Sequence, residues 1–453
     1  MTAAPKGAPT LSGLDLLSFM IDRAKAAGAD AADAVTFDSA SLALSQRLGK
    51  PERLERAESG DLGLRVFVGH RQAIVSTTDR TRSALEELVE RAVAMARTVP
   101  EDPYVGIADP SQLAREWDDL DICDPVEPAA EELIEQARRG EEAALAVPGV
   151  NNSEGAEAGW SRTTVALAAS NGFSGGYSLS RRSLSVSVLA GSGTGMERDY
   201  DFSSKVYGAD LDDAEALGRS AGERAVRRLN PRKVRTARVP VVFDPRVSRG
   251  LLGHLTGAIT GPAIARGTSF LKDRLGQQVF AAGITIVDDP HVRRGMRSKP
   301  FDGEGVATTR RNLVDGGRLT TWLLDLRSAR QLGLETTGHA ARGTSSPPTP
   351  APTNIYMQPG SRSPEALIAD IGQGLYVTEL MGMGVNGVTG DYSRGAAGFW
   401  IENGEIAHPV SELTIAGNLK EMFLNAEPAD DLVLRYGMDA PTVRIEGMTV
   451  AGQ

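Results

Sequence analysis

The sequence predicts an α+β protein: an N-terminal α/β domain followed by a β-rich C-terminal domain. Three observations carry this. Residues 11–229 mix helix-period and strand-period stretches. Residues 235–453 read mainly as short strands punctuated by glycine and turn signals. Between them, Asn230-Pro-Arg-Lys-Val-Arg-Thr-Ala-Arg238 is short, polar and basic, ends one helix and precedes an apolar strand. The boundary is therefore placed between 1–234 and 235–453. A chain of 453 residues suits two or three domains, and no repeat of roughly 20–50 residues recurs.

In order, apolar residues at 14, 16, 17, 20, 21 and 24 predict a helix starting after Thr10 or Ser12. Ala32 to Gln46 suits a strand, and the charged stretch Arg47 to Glu58 is expected to be a turn. Leu62 to Val68 and Gln72 to Ser76 read as a hairpin around Gly-His-Arg. Asp79 to Thr98 and Pro128 to Ala146 are amphipathic helices, separated by an irregular acidic segment. Val150 to Val206 is β, with a turn at Asn171-Gly172, and Leu211 to Leu229 is a helix with a basic end, which suits its dipole.

In the second half, Val239 to Phe243 is a strand, and Asp244-Pro245 opens a helix. Val247, Leu251, His254 and Ala258 share one face of that helix, which argues for His254 as a core residue. Asp288-Asp289-Pro290-His291 has metal-capable side chains but reads as a solvated turn. Arg311 to Leu324 is a hairpin, Thr337 to Pro352 a loop, and Ser363-Pro364 starts a short helix. Asn418 caps another helix. Arg294, Arg310 and Arg311 carry no assigned role.

The densest feature is Gly382-Met-Gly-Val-Asn-Gly-Val-Thr-Gly-Asp-Tyr-Ser-Arg-Gly-Ala-Ala-Gly-Phe-Trp-Ile401. Glycine there implies bulges, positive φ or close backbone approach. Asn386, Thr389, Asp391, Tyr392, Ser393 and Arg394 lie between the glycines as candidate peptide- or partner-contacting residues. Gly382-x-Gly384-x-x-Gly387 matches the dinucleotide fingerprint, but no helix follows, so nucleotide binding is not expected. A strand, an Asn403-Gly404 turn and a second strand come next.

Composition excludes several classes. The chain is 41% hydrophobic and 24% charged, as ordinary globular proteins are. Its net charge of −10 argues against a general nucleic-acid coat. No run approaches the ~18 apolar residues of a membrane span, and the first ten residues lack an apolar signal core. Cys123 is the single cysteine, so neither an intrachain disulfide nor a cysteine-based zinc cluster is expected. The expected location is cytoplasmic, with neither nucleic acid nor membrane as partner.

The residues from Gly382 to Met422 closely resemble the PmbA (TldE) branch of the TldD/PmbA family. Gly253-His-Leu-Thr-Gly-Ala-Ile, Pro300-Phe-Asp-Gly-Glu-Gly-Val and Gly333-Leu-Glu-Thr-Thr-Gly-His-Ala340 extend the resemblance, and Gly63-Leu-Arg-Val-Phe-Val-Gly69 fits more loosely. The resemblance implies an N-terminal α/β domain joined to a β-rich, barrel-like C-terminal domain. It implies a cytoplasmic metallopeptidase system, also called a modulator of DNA gyrase, that degrades or processes small or unfolded peptides. In that system a TldD-type subunit carries zinc on a His-Glu-x-x-x-His helix with a late cysteine, and pairs with a TldE-type subunit around a chamber.

This sequence departs from the active pattern. His254 stands as a vestigial ligand position, Leu255 replaces the general-base glutamate, and Ala258, Ile259 and Thr260 offer no second histidine. The tail from Leu432 holds no cysteine. The expectation is a subunit with no catalytic residue, metal site or cofactor of its own, with zinc in a TldD-type partner, forming a heterodimer or, alone, a homodimer. Two alternatives remain: a self-sufficient metallopeptidase with an unorthodox site such as His254, His339 and Asp391, or a homodimeric peptide-binding protein.

Overall fold

The computed structural model describes residues 13–452; the expected helix start after Thr10 or Ser12 lies outside them. The first half contains α1 (Gly13–Ala26), β1 (Ala31–Arg47), β2 (Lys50–Val68), β3 (Arg71–Thr77), α2 (Arg82–Thr98), α3 (Ala130–Leu145), β4 (Val150–Ala169), β5 (Ser174–Ala190), β6 (Glu197–Lys205) and α4 (Ala214–Arg227). The strands form one antiparallel sheet in the order β3-β2-β1-β4-β5-β6. Helices α1 and α2 bury Leu17, Met20, Leu85 and Val89 against one end of one face. Helices α3 and α4 bury Leu133 and Leu217 against Leu184 and Val186 at the other end. Strand period places Val35 and Phe37 opposite Ala32 and Ala34, on the face turned to the second domain.

The expected turn over Arg47 to Glu58 is not there. The chain reverses at Leu48-Gly49, both at positive φ (50° and 72°), and β2 then runs unbroken from Lys50. Its first ten residues are exposed, while their backbone pairs with β1. A paired backbone needs no apolar side chains, and charges projecting into water cost the strand little.

The second half contains β7 (Ala237–Phe243), α5 (Pro245–Ala258), α6 (Gly261–Ala265), β8 (Ile286–Asp289), β9 (Arg311–Asp315), β10 (Arg318–Leu319), α7 (Leu326–Leu332), β11 (Ala340–Ala341), β12 (Thr349–Pro350), β13 (Asn354–Met357), α8 (Pro364–Ile368), β14 (Gln373–Met381), β15 (Asp391–Glu402), β16 (Glu405–Asn418), α9 (Leu419–Leu424), β17 (Ala426–Pro428), β18 (Met438–Asp439) and β19 (Val443–Ala451). Strands pair in the order β16-β15-β14-β7-β19, and β19 pairs back onto β16, closing a five-stranded barrel. It is filled by Val241, Phe243, Leu375, Val377, Ile415 and Ile445, in one core with Leu251, Leu252 and Leu255 of α5. A second sheet, β10-β9-β8-β13-β18, joins the same core through Ile286, Leu313 and Ile355.

The domains meet over an aromatic cluster and a buried ionic one. Phe301 packs edge-on to Phe173 (4.9 Å) and Tyr177 (5.3 Å). Arg65 holds Asp33 at 2.5 Å and Glu304 at 3.5 Å, and Arg342 reaches Asp33 at 2.6 Å. Among the described residues no helix is long and apolar enough to cross a membrane.

Candidate functional site

Helix α5 leaves the barrel directly from β7. Asp244 caps it by accepting from the Arg246 amide (2.9 Å), with Pro245 in the first turn, and Tyr376 donates to the same carboxylate (2.8 Å). Ser248 donates to the Pro441 carbonyl at 2.8 Å, fixing the helix against the segment before β19. These contacts set the rotation of the helix, so Leu251 and Leu255 enter the core and His254 emerges beside them, half-buried. The imidazole meets the Tyr392 ring edge-on, 5.8 Å between centroids. Burial, and then the nearby Arg394 guanidinium, push its pKa below the usual histidine value, so it is neutral at pH 7.

The glycine-rich stretch divides into an exposed loop, 382–390, and a barrel strand, β15. Gly382 and Gly390 adopt positive φ (76° and 87°). Gly398 is different: a Cβ there would lie 2.0 Å from the Tyr376 carbonyl oxygen across the sheet. The polar residues largely bind one another. Asn386 accepts from the Val388 amide (2.9 Å), Thr389 donates to Asp391 (2.6 Å), Asn418 donates to Asp391 (3.0 Å), and Arg394 donates to the Met381 carbonyl (3.1 Å). Tyr392 is buried, its hydroxyl pushed up to about 12 by burial, and Ser393 is exposed. Strand β15 lies between β14 and β16 and has no open edge. What the stretch offers to solvent is the loop, with Met383 90% and Val388 54% exposed. As expected, a strand rather than a helix follows it, so no helix N-terminus faces the Gly-x-Gly-x-x-Gly turn.

The other metal-capable residues do not converge. Asp288 accepts from Thr353 Oγ1 (2.6 Å) and from buried His339 Nε2 (3.2 Å), whose Nδ1 meets Thr337 Oγ1 (2.8 Å). Asp289 accepts from the His291 amide (2.9 Å), and the His291 ring meets Thr308 instead (2.9 Å). Among the described residues no group of three or more His, Cys, Asp or Glu side chains comes together as a metal site. On α5 the residues that would complete a ligand set beside His254 are Leu255 and Ala258, 0% and 6% exposed. One imidazole between two buried apolar side chains does not fit a catalytic zinc, which needs three protein donors and an open position.

Three family models cover most of the chain: PmbA/TldA metallopeptidase domain 1 over residues 32–96, the central domain over 123–229 and the C-terminal domain over 236–452. The chain is 41% identical to the metalloprotease PmbA of Escherichia coli O157:H7, covering 94% of this chain and 93% of that one. The chain belongs to the PmbA/TldD metallopeptidase family. A PmbA homologue of Haemophilus influenzae is 37% identical, with 96% and 95% covered. A Bacteroides thetaiotaomicron structure described as a modulator of DNA gyrase superposes with a TM-score of 0.88 at 29% identity, covering 97% and 98%. The fold is also that of TldE from Thermococcus kodakarensis (TM-score 0.86, 21% identity, 96% and 100% covered).

Within this PmbA/TldD fold, sequence reasoning found the glycine loop and His254 separately but not their contact through Tyr392. It also missed the Asp33–Arg65–Glu304–Arg342 cluster. The one signal was Phe301-Asp-Gly-Glu-Gly-Val306, an acidic turn between two apolar residues. Phe301 and Val306 are both buried, which draws the acids between them inward.

Proposed function

We propose that this chain is the TldE-type, non-catalytic subunit of a cytoplasmic zinc peptidase pair that degrades or processes small or unfolded peptides. Zinc and the general base belong to a TldD-type partner, and this chain supplies part of the substrate chamber. The observation that carries the reading is helix α5: it offers His254 alone, with buried Leu255 and Ala258 where a base and further ligands would be needed. Family membership supports the peptidase setting. The exposed loop 382–390, next to His254 through Tyr392, is the surface assigned to holding peptide or partner. Its anchored polar residues keep it in one shape, which lowers the ordering cost of binding.

The test is zinc content and peptide cleavage of the purified chain, never exposed to a metal-affinity column, alone and with a TldD-type subunit. Alone it is expected to carry almost no zinc and to cleave nothing; the pair cleaves, and His254→Ala in this chain leaves the zinc content of the pair unchanged. About one zinc per isolated chain, with cleavage that chelators abolish, would overturn the proposal.

A further inference from the structure

A second feature lies apart from the loop and shares no residue with it. Where the domains meet, a cavity of about 220 Å³ is lined by Lys205, Arg293, Arg294 and Arg435, with Met296, Tyr356 and Leu434 as apolar neighbours. Arg297, an exposed residue, lies beside it with its stem against Gly437 of the lining. Burial, and then Arg181 of β5 and Arg249 of α5 by like-charge repulsion, lower the Arg297 pKa, while Asp439 and Asp288 pull it back up. Arg249 also sits over the Tyr436 ring at 4.9 Å.

Asp210 and Asp439 in the lining and nearby Asp288 offset part of this charge. Asp121 is held by Arg293 (3.1 Å) and Arg294 (2.7 Å), and Asp210 by Arg294 (2.9 Å). Asp439 is held by the amides of Tyr436 (3.0 Å) and Gly437 (3.1 Å). None of the ion pairs among the described residues involves Arg181, Lys205, Arg249, Arg297 or Arg435. In a chain of net charge −10, unpaired cations gathered from two domains form a local positive field against an acidic background. Like charges placed together cost stability and are retained most readily where an anion joins them.

The geometry points to this cleft as a binding site for an acidic peptide segment, with carboxylates against Lys205, Arg297 and Arg435 and an intervening apolar side chain against Leu434 and Tyr356. Leu434 of the lining, 50% exposed, and its chain neighbour Val433, 54% exposed, supply apolar contact that a nucleic-acid backbone does not use. The overall negative charge would repel a long polyanion while leaving a short acidic segment free to dock. The inference does not depend on whether the chain joins a peptidase.

The experiment is fluorescence anisotropy of the full chain with a labelled Glu-Leu-Glu-Glu-Leu-Glu peptide, its Gln-for-Glu counterpart and a single-stranded oligonucleotide of similar length. The acidic peptide is expected to bind saturably and at least about tenfold tighter than the other two, and to weaken about tenfold between roughly 0.05 and 0.5 M salt. Arg435→Glu and Arg181→Glu, both at exposed positions, should each weaken binding several-fold with unchanged circular dichroism. Arg274→Glu, which lies outside the cleft lining, should leave it intact. Equal binding of the Gln peptide, tighter binding of the oligonucleotide, or charge reversals no different from the Arg274 control would each overturn the proposal.

Discussion

At the residue scale, the glycines of the 382–398 stretch are not equivalent, and the structure separates them. Gly387 has open space where a Cβ would be, whereas at Gly398 a Cβ meets a carbonyl oxygen at 2.0 Å in a buried strand. Gly398→Ala should therefore cost about 1–3 kcal/mol through forced backbone separation, with Gly387→Ala nearly neutral in the same urea titration. Equal effects would mean that the barrel wall yields at Gly398. This also decides how the loop is probed: valine at Gly390 would strain a positive φ and crowd Asn418, so lost activity would not distinguish contact from misfolding.

At the scale of elements, the buried turn between Phe301 and Val306 has electrostatic consequences. Burial pushes Glu304 up to about 8, against Arg65, which favours the carboxylate, and with Asp302, which does not. A carboxyl whose folded pKa lies above its unfolded value of 4.5 holds a proton in the native state that the unfolded chain has released. The native state then binds more protons, so stability from this group is full below about 4.5 and falls as pH rises toward 8. Glu304→Gln keeps the shape and the acceptor for the Leu326 amide (2.9 Å) and should flatten the decline of thermal stability between pH 5 and 8. A slope unchanged in the variant would assign the decline elsewhere. Asp33 runs the other way: Arg342 and Arg65 hold it ionised, below the usual carboxylate range despite burial.

At the scale of the molecule, the family models divide the first half into two segments, 32–96 and 123–229, yet one sheet runs through both. β1 pairs with β4 from Asp33↔Ala169 to Gln46↔Ala156. A fragment ending before Val150 would expose that whole edge of β1 and lose the partners of its helices. Such a fragment is expected to be aggregated or unfolded by gel filtration and circular dichroism, while 13–234 gives a cooperative melt. A soluble, cooperatively melting fragment of the first 122 residues would contradict this.

How far the sequence could be read follows from what each signal depends on. Helix and strand periods, the Asn403-Gly404 turn and the Asp244-Pro245 cap are set within a few residues of chain, so the α+β class, the interrupted dinucleotide motif and His254 on α5 beside Leu255 were legible from order alone. The charged tip of β2 misled because its side chains are solvated while its backbone is paired, and composition reports only the side chains. The closure of β19 onto β16, the seat of His254 against Tyr392, the inward turn of Asp302 and Glu304, and the gathering of Arg181, Lys205, Arg249, Arg297 and Arg435 join residues up to a few hundred positions apart. Those contacts arise only when both domains bury their apolar faces together. Local order fixed which side chains were available, and long-range packing decided which of them met.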